Sequence, residues 1–490
     1  MNGITLTRSK CMVVAAIVFL LTVGAVSITL PTLTERGGGQ LSDGEVMIRV
    51  LAIPALAALS TLTLLTACAT PPMVRMAPSP SSEAPAPAAP FTVQVVGLQW
   101  LNPLQRRDYS TEWQLLWTLG LARPNKDDDM VKAEPEIFAK LRVVGSIAAG
   151  NNGEETFQGY HQKYLERILS YQRDIYFTNP KYFYNAHSKD KKSWRELAGI
   201  RVEYALPKGK LDPQEAGNTV RKEIKSYFDI GNPSFPNAWM RDTPPDVRVT
   251  MGGSNAGFTS LSAALDYLRA HPSESVWVMS WDAPSRPKDK QLNENMVLLV
   301  LAGPNLETER AALAWIGYPA AKPAADFEAK EGSLSSVAQA WQVTLSEASR
   351  NGHRQNSDIG YVIHDANNRH VDSPQRLGNL AQSLAAAVPN LDFVSQTFNT
   401  SALLGEMGAG SALTNVALAI AYANHFGKNV LVAGTADAEH PAAVLVTPPE
   451  TVRPINHDLQ WFRARGENRA YLMWWGIRHD ETVRMQGFSD

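Results

Sequence analysis

Cysteine is almost absent from this chain of 490 residues. The two cysteines, Cys11 and Cys68, both precede residue 71. The remainder of the chain therefore has no disulfide framework, no cysteine-ligated zinc or iron–sulfur site and no cysteine nucleophile. An excess of positive charge is also lacking, since 46 Lys and Arg face 48 Asp and Glu. Nucleic-acid binding, which needs a basic face to displace counterions from phosphates, is not indicated.

Charge is missing from two long stretches near the N-terminus, residues 11–30 and 50–70. At about 1.5 Å per helical residue, each is long enough to cross a bilayer core of about 30 Å. Arg8 and Lys10 precede the first stretch, which favours a cytoplasmic N-terminus. Residues 1–70 are thus predicted to form a membrane hairpin that returns the following chain to the cytoplasm, and a cytoplasmic location, with or without an inner-membrane anchor, is favoured.

The same residues support a signal or anchor as an alternative. Residues 65–68 (LTAC) have the small-residue pattern of a lipoprotein cleavage site. If translation starts at Met47, a short signal peptide precedes a lipidated Cys68, and the body faces the periplasm. In a third interpretation, residues 1–46 precede the true start and nothing inserts. The sequence leaves these alternatives open.

Residues 71–90 contain seven prolines among alanines and serines. Proline fixes φ and donates no hydrogen bond, so this linker is predicted to be an extended tether. The body begins near Phe91 with a predicted strand at residues 91–96. Helices are expected around residues 112–121 and 159–173.

Two stretches of the body, residues 248–304 and 396–448, share one order of features. Each has a glycine-rich turn, an Ala- and Leu-rich helix and two short apolar strands, which is typical of α/β units covered by helices on both faces. The shared order predicts a duplicated α/β body. We divide it into a first domain at residues 91–320, with a Trp-rich divergent part, and a second domain at residues 334–490. Further strands are expected at 357–364 and 469–475.

Three segments resemble the thiolase-like fold of ketoacyl synthases. These are VRVTMGGSNAGFTSLSAAL at 247–265, SDIGYVIHDANN at 357–368 and GEMGAGSALTNVALA at 405–419. In those enzymes they correspond to the nucleophile turn, a strand leading to a catalytic histidine, and the glycine-rich stretch before a C-terminal helix. The resemblance implies a duplicated mixed-sheet thiolase-like body.

The resemblance does not extend to the catalytic residues. The position of the catalytic cysteine holds Ser254 or Gly253. The position of one catalytic histidine holds Glu406. The position of the second catalytic histidine holds Asp365, and His364 is one residue before it. Because the family reaction needs a thiolate to carry the acyl group, we expect no acyl-transfer enzyme. Ser254, Glu406 and His364 are degenerate positions, and no catalytic, cofactor-binding or metal residue is assigned.

Other chemistry is only weakly indicated. Residues 252–256 (GGSNA) approach a nucleophile elbow, but Ser254 or Asn255 is better interpreted as a cap of the following helix. Gly408 and Gly410 lack the third glycine of a dinucleotide-binding fingerprint. A metal site at His364, Asp365 and His370 has no supporting spacing, so these are expected to be turn and surface residues.

Tryptophan is the remaining signal, with 12 in the chain. Several lie in apolar runs and are expected in the core: Trp277, Trp281 and Trp315. Others lie in the divergent first part, where exposed aromatics would suit a protein-binding surface, although the core is favoured for any single one: Trp100, Trp113, Trp117, Trp194 and Trp239.

The whole organisation, from apolar N-terminus and proline tether to a thiolase-like body without cysteine, resembles the type VI secretion lipase adaptors. That resemblance implies a bacterial, non-enzymatic adaptor that binds a phospholipase toxin effector and loads it onto a VgrG spike protein, without a cofactor. One alternative is a periplasmic lipoprotein that neutralises such a toxin. A second alternative is an acyl-processing enzyme that uses Ser254.

Overall fold

The computed structural model describes most of the chain after residue 89. The described residues are 90–102, 111–121, 132–133, 156–178, 200–230, 245–284, 294–306, 308, 310–329, 334–367, 371–455, 461–462 and 477–478. By contacts the chain divides into two units, residues 1–87 and 88–490, and all described residues lie in the second. The apolar stretches 11–30 and 50–70 and the expected strand at 469–475 lie outside them. No helix of the described part is both long and apolar enough to cross a membrane.

Within the described residues, the first part of the body contains five strands and four helices with given bounds. In chain order they are β1 (Thr92–Leu101), α1 (Thr111–Thr118), α2 (Phe157–Thr178), β2 (Arg201–Pro207), α3 (Pro213–Tyr227), β3 (Asp246–Gly252), α4 (Ala256–Ala270), β4 (Ser275–Asp282) and β5 (Asn295–Ala302).

The second part continues the same sheet. Its elements are β6 (Ala314–Gly317), β7 (Ala320–Ala321), α5 (Ser336–Asn351), β8 (Ile359–His364), α6 (Ser373–Ala387), β9 (Thr397–Asn399), α7 (Thr400–Leu404), α8 (Ser411–Phe426), β10 (Asn429–Gly434) and β11 (Ala442–Thr447). A single 3₁₀ turn at Gly408–Gly410 precedes α8. Two short strands, β12 (Trp461–Phe462) and β13 (Ile477–Arg478), pair separately.

Local sequence explains several of these boundaries. Helix α3 starts where Asp212 accepts hydrogen bonds from the backbone N–H groups of Gln214 and Glu215, with proline as the first helical residue. Helix α8 ends at Gly427, whose φ of 63° lies in the left-handed region that glycine adopts without steric cost. The predicted strands and helices of the repeated stretches therefore form where the sequence indicated.

The strand order contains the same arrangement twice. The sheet runs β3-β2-β4-β5-β1-β6-β11-β10-β8-β9, with β7 beside β11. The antiparallel pair β1–β6 lies in the middle of the sheet. On one side of it, β5 and β4 are antiparallel, and β4 and β2 are parallel. On the other side, β11 and β10 are antiparallel, and β10 and β8 are parallel. Strand β6 thus corresponds to β1, and the second set of strands starts at Ala314. The division into domains at 91–320 and 334–490 stays a prediction.

The buried side chains separate into one inner and two outer clusters. The inner cluster contains α4, α8 and one face of both strand sets, whereas α2 and α3 cover the other face of the first set, and α5 and α6 that of the second. Helices therefore cover both faces of the sheet. Because α8 lies within the inner cluster, 14 of its 16 residues are buried, in accord with its small apolar composition.

The tryptophans follow these layers. Trp277 and Trp281 are fully buried as expected, and Trp315 is half-buried. Trp100 and Trp117 are buried as well, which agrees with the favoured core placement and excludes them from a partner surface. The side chains of Trp113, Trp194 and Trp239 lie outside the described residues.

Candidate functional site

The turn between β3 and α4 contains the segment whose sequence resembles the nucleophile turn of ketoacyl synthases. The backbone N–H of Ala256 donates to the carbonyl of Gly253 over 2.9 Å and closes the turn. Asn255 occupies the cap position of α4, and its backbone carbonyl accepts from the N–H groups of Phe258 and Thr259. The expected side-chain cap is wrong, because the Asn255 side chain bonds no helical N–H. Its Nδ2 instead donates over 2.9 Å to the carbonyl oxygen of His440, in the loop after β10. Ser254 is half-buried beside it.

Glycine permits this contact between the two halves. A Cβ on Gly434, the last residue of β10, would lie 2.7 Å from Oδ1 of Asn255. Real Cβ atoms do not approach that closely, so a side chain at this position would have to displace the Asn255 amide and the Phe258 ring, which lies 2.8 Å from the same point.

Asp365 follows the last residue of β8 and is buried, with 1% of its surface exposed. The backbone N–H and the hydroxyl of Thr435 donate to its Oδ1 over 2.6 and 2.9 Å. Burial raises the pKa of this carboxyl, and the bonds from Thr435 partly offset the effect. The residue is therefore fixed between two neighbouring strand ends.

His364 is also buried, at 1% exposure, and belongs to the opposite face of β8 from Asp365. Its ring stacks on Phe393 with 6.0 Å between centroids, and burial lowers its pKa to about 4. The expectation that His364 and Asp365 are surface residues is wrong, because β8 extends to His364 and lies inside the sheet. His370 is outside the described residues.

Glu406 lies close to Asp365, since its charge contributes to the raised pKa of that carboxyl. Asn367 donates from Nδ2 to Oε1 of Glu406, and its own carbonyl accepts from Nδ2 of Asn399 over 3.3 Å. Asn367 has a φ of 60°, a left-handed conformation that asparagine tolerates better than most residues. Asp365 and Glu406 are thus brought together. Within the described residues, no hydrogen bond joins Ser254 to either of them.

An ion pair that the sequence did not reveal holds the glycine-rich turn from the other half of the molecule. Lys210 Nζ lies 2.6 Å from Oδ1 of Asp282, at the end of β4, and the two side chains are 17% and 3% exposed. The other oxygen of Asp282 accepts from the backbone N–H of Ala409 over 2.9 Å. No local sequence pattern identifies this pair, because Lys210 and Asp282 are 72 residues apart.

His161 lies beside this ion pair in a cavity of about 260 Å³ between the starts of α2 and α3. It is buried, and its Nε2 lies 2.8 Å from the hydroxyl of Tyr204. Burial lowers its pKa to about 4. Helical spacing placed His161 on α2, but its burial depends on the first strand set and could not be inferred from spacing.

In chemical terms, the site contains carboxylates and amides bonded to neighbouring protein groups. No group of three or more His, Cys, Asp or Glu side chains in the described part could hold a metal ion.

The second strand set also matches a known family. Residues 313–448 match the C-terminal family of the type VI lipase adapter protein Tla3. The match starts at β6 and ends just after β11, so it spans one complete copy of the duplicated arrangement. The predicted resemblance to the type VI lipase adaptors is confirmed over these residues. No curated protein matches the chain.

Several solved structures are similar in fold. The ishigamide ketosynthase/chain length factor is 15% identical, with 73% of this chain and 100% of that chain covered and a TM-score of 0.44. The ketosynthase from module 6 of the bacillaene synthase of Bacillus subtilis 168 is 9% identical, with coverage of 78% and 74% and a TM-score of 0.48. The 3-oxoacyl-[acyl-carrier-protein] synthase III of Aquifex aeolicus VF5 is 12% identical, with coverage of 72% and 99% and a TM-score of 0.39. The duplicated strand order confirms the predicted fold class, a duplicated thiolase-like mixed-sheet α/β body.

Proposed function

We propose that this protein is a non-enzymatic adaptor that binds a phospholipase toxin effector and loads it onto the VgrG spike of a type VI secretion system. The observation that carries the proposal is the match of residues 313–448 to the Tla3 C-terminal family. The match covers a full strand set with its buried core, which is the part of a protein best suited to hold a binding surface in a fixed shape.

The contacts at the degenerate positions support a role without catalysis. A thiolase-type reaction needs a thiolate near groups that can exchange protons with the substrate. Here Asp365 is bonded twice by Thr435, and Glu406 is bonded by Asn367. These contacts stabilise the fold and leave the carboxylates engaged with protein.

Co-purification tests the two partners separately. The full chain, tagged at its C-terminus, is expressed with a phospholipase toxin effector of a type VI secretion system, with a VgrG protein, or with both. We expect a stable pair with the lipase and a ternary complex with VgrG. A chain that retains neither partner, although it is folded by circular dichroism, contradicts the proposal.

The serine-enzyme alternative is tested by Ser254→Ala. Ser254 lies in a turn closed by backbone bonds, so the variant should fold normally and support export of the effector at the parental level. A loss of export or of hydrolysis beyond about tenfold, which corresponds to roughly 1.4 kcal/mol of activation free energy, would instead establish Ser254 as a reactive residue.

We propose a cytoplasmic location for the body, with or without an inner-membrane anchor at residues 11–30 and 50–70, because an effector must be loaded before export. A reporter fused after Asp490 should fluoresce and lack alkaline phosphatase activity. Phosphatase activity would favour the periplasmic immunity lipoprotein, and palmitate labelling that disappears in Cys68→Ser would identify its anchor.

A further inference from the structure

A shallow groove of about 730 Å³ opens where β1 begins, beside the end of α5 and the start of β10. Its lining is Pro90, Arg350, His353, Arg354, Gln355, Asp358 and Asn429. We define the basal face as the exposed basic residues of this region and the exposed apolar residues next to them: Arg350, His353, Arg354, Phe426, Lys428 and Val452.

Positive charge dominates the basal face. Arg350 is 54% exposed, and the only carboxylate near it in the described part is that of Glu347, at 3.9 Å. Glu347 also pairs with Lys322 at 3.0 Å, so it does not fully neutralise Arg350. Arg354 donates to the carbonyl of His353, so its charge is not paired by that bond. Lys428 is exposed as well and packs its alkyl chain on Gly360.

The acidic side chain in the groove is Asp358. One of its carboxylate oxygens accepts a hydrogen bond from the backbone N–H of Gln355, which closes the 3₁₀ turn before β8. Its negative charge offsets one of the three positive charges of Arg350, Arg354 and Lys428, so the groove and its border stay net positive.

Exposed apolar side chains border this charge. Five large hydrophobic residues are exposed among those the structure describes, and two of them, Phe426 at 38% and Val452 at 37%, lie here. They flank Gly427: Phe426 precedes it, and Val452 would be 3.5 Å from a Cβ at that glycine. Basic residues combined with exposed apolar residues are characteristic of surfaces that lie in the headgroup region of a membrane.

The position of the groove in the chain favours the same partner. Pro90 lines the groove and is the last residue of the proline-rich linker at 71–90, which follows the two uncharged apolar stretches. An extended proline-rich chain spans about 3.1 Å per residue, so these 20 residues reach about 60 Å at most. A membrane that holds either apolar stretch would therefore lie within reach of the groove.

We propose that the basal face docks on an anionic lipid bilayer. This goes beyond the adaptor role, because it assigns to one surface a partner other than the lipase and the spike. Arg350, His353, Arg354 and Lys428 contact the phosphate-bearing headgroups, while Phe426 and Val452 enter the boundary with the acyl chains.

Hydrogen exchange on the full chain in vesicles tests the proposal. The protein is reconstituted into phosphatidylcholine vesicles and into vesicles with about 30% phosphatidylglycerol, the type of anionic surface that attracts basic segments. Any insertion of the N-terminal stretches is common to both, so the comparison isolates the face. Since each basic residue near such a surface strengthens binding by about fivefold, exchange in residues 350–358 and 426–429 should slow by about tenfold or more in the anionic vesicles.

Charge reversal provides the matched variants. Arg350→Glu with Arg354→Glu should abolish the protection, and high salt should do the same, whereas Arg248→Glu should not. Arg248 is a suitable control because it is 61% exposed and lies on β3, at the edge of the sheet. Unchanged hydrogen exchange in α8 will show that the double variant is folded. Arg350→Gln with Arg354→Gln repeats the test by removing the two charges without reversing them.

Two results would overturn the proposal. Equal exchange in both kinds of vesicle would show that anionic headgroups are not recognised. Protection that appears only when the lipase is added, and equally without phosphatidylglycerol, would assign the basal face to an acidic protein partner. Neither result affects the co-purification that tests the adaptor role.

Discussion

Two buried histidines should make the fold sensitive to mild acid. His161 and His364 each have 1% of their surface exposed, and burial lowers the pKa of each from 6.5 to about 4. The folded state therefore binds fewer protons than the unfolded chain between these values. The stability that the neutral rings contribute is fully present above pH 6.5 and is lost as the pH falls towards 4.

The size of the effect follows from the two pKa values. Between pH 7 and pH 5, a shift from 6.5 to about 4 reduces the free energy of unfolding by about 2 kcal/mol for each histidine, or about 4 kcal/mol for both. Replacing both with glutamine removes the titrating groups, so this part of the pH dependence should disappear from the double variant, whatever its stability at pH 7.

Urea unfolding of the full chain in a nonionic detergent, followed by tryptophan fluorescence, measures the difference. The unfolding free energy is measured at pH 7 and at pH 5 for the parent and for the double variant His161→Gln with His364→Gln. The loss between the two pH values in the double variant is then subtracted from the loss in the parent. Contributions of the other titrating groups are the same in both proteins and cancel in this difference. His440→Gln is the control, since that side chain is 57% exposed. A difference below about 1 kcal/mol would refute the assignment of both rings as buried and neutral.

Two substitutions test the contacts between the halves. A Cβ on Gly410 would lie 1.5 Å from Oδ1 of Asn295, so Gly410→Ala should lower the unfolding free energy by about 1–3 kcal/mol in thermal melts. Gly253→Ala is the control and should have little effect, because nothing lies within 4 Å of the new Cβ. Lys210→Met leaves Asp282 buried without its countercharge and should cost about 3–5 kcal/mol. Adding Asp282→Asn should recover part of this loss, and an equally unstable double variant would contradict the ion-pair argument.

The sequence indicated the strands and helices that lie in the repeated stretches because their patterns are local. Apolar runs such as those of β4, β5, β10 and β11 mark strands covered on both faces, and small residues with no charge mark α8 as a buried helix. Short strands were harder to recognise. Strand β6 has four residues and β9 three, and both are stabilised by pairing with strands distant in sequence.

The site was predicted less completely, for a physical reason. The resemblance to ketoacyl synthases identified the turn at 252–256 and the degenerate positions, but hydrogen-bond partners are set by which strand ends meet in space. The side chain of Asn255 could have accepted a hydrogen bond from a backbone N–H of α4. It donates instead to the carbonyl of His440, 185 residues later. Likewise, Asp365 looked like a turn residue until its bonds to Thr435, 70 residues away, were known. Such long-range choices leave no periodic signal in one sequence.

These long-range bonds bear directly on what the fold can do. A catalytic group must keep part of its bonding capacity for the substrate, and that incomplete bonding costs stability. In this molecule Asp282 is bonded to Lys210 and Ala409, Asp365 to Thr435, and Glu406 to Asn367. Each bond joins segments far apart in sequence, and that between Asp282 and Ala409 joins the two strand sets. These three carboxylates thus cross-link the sheet and fix the ends of its strands, as the rigid platform of the proposed adaptor role requires.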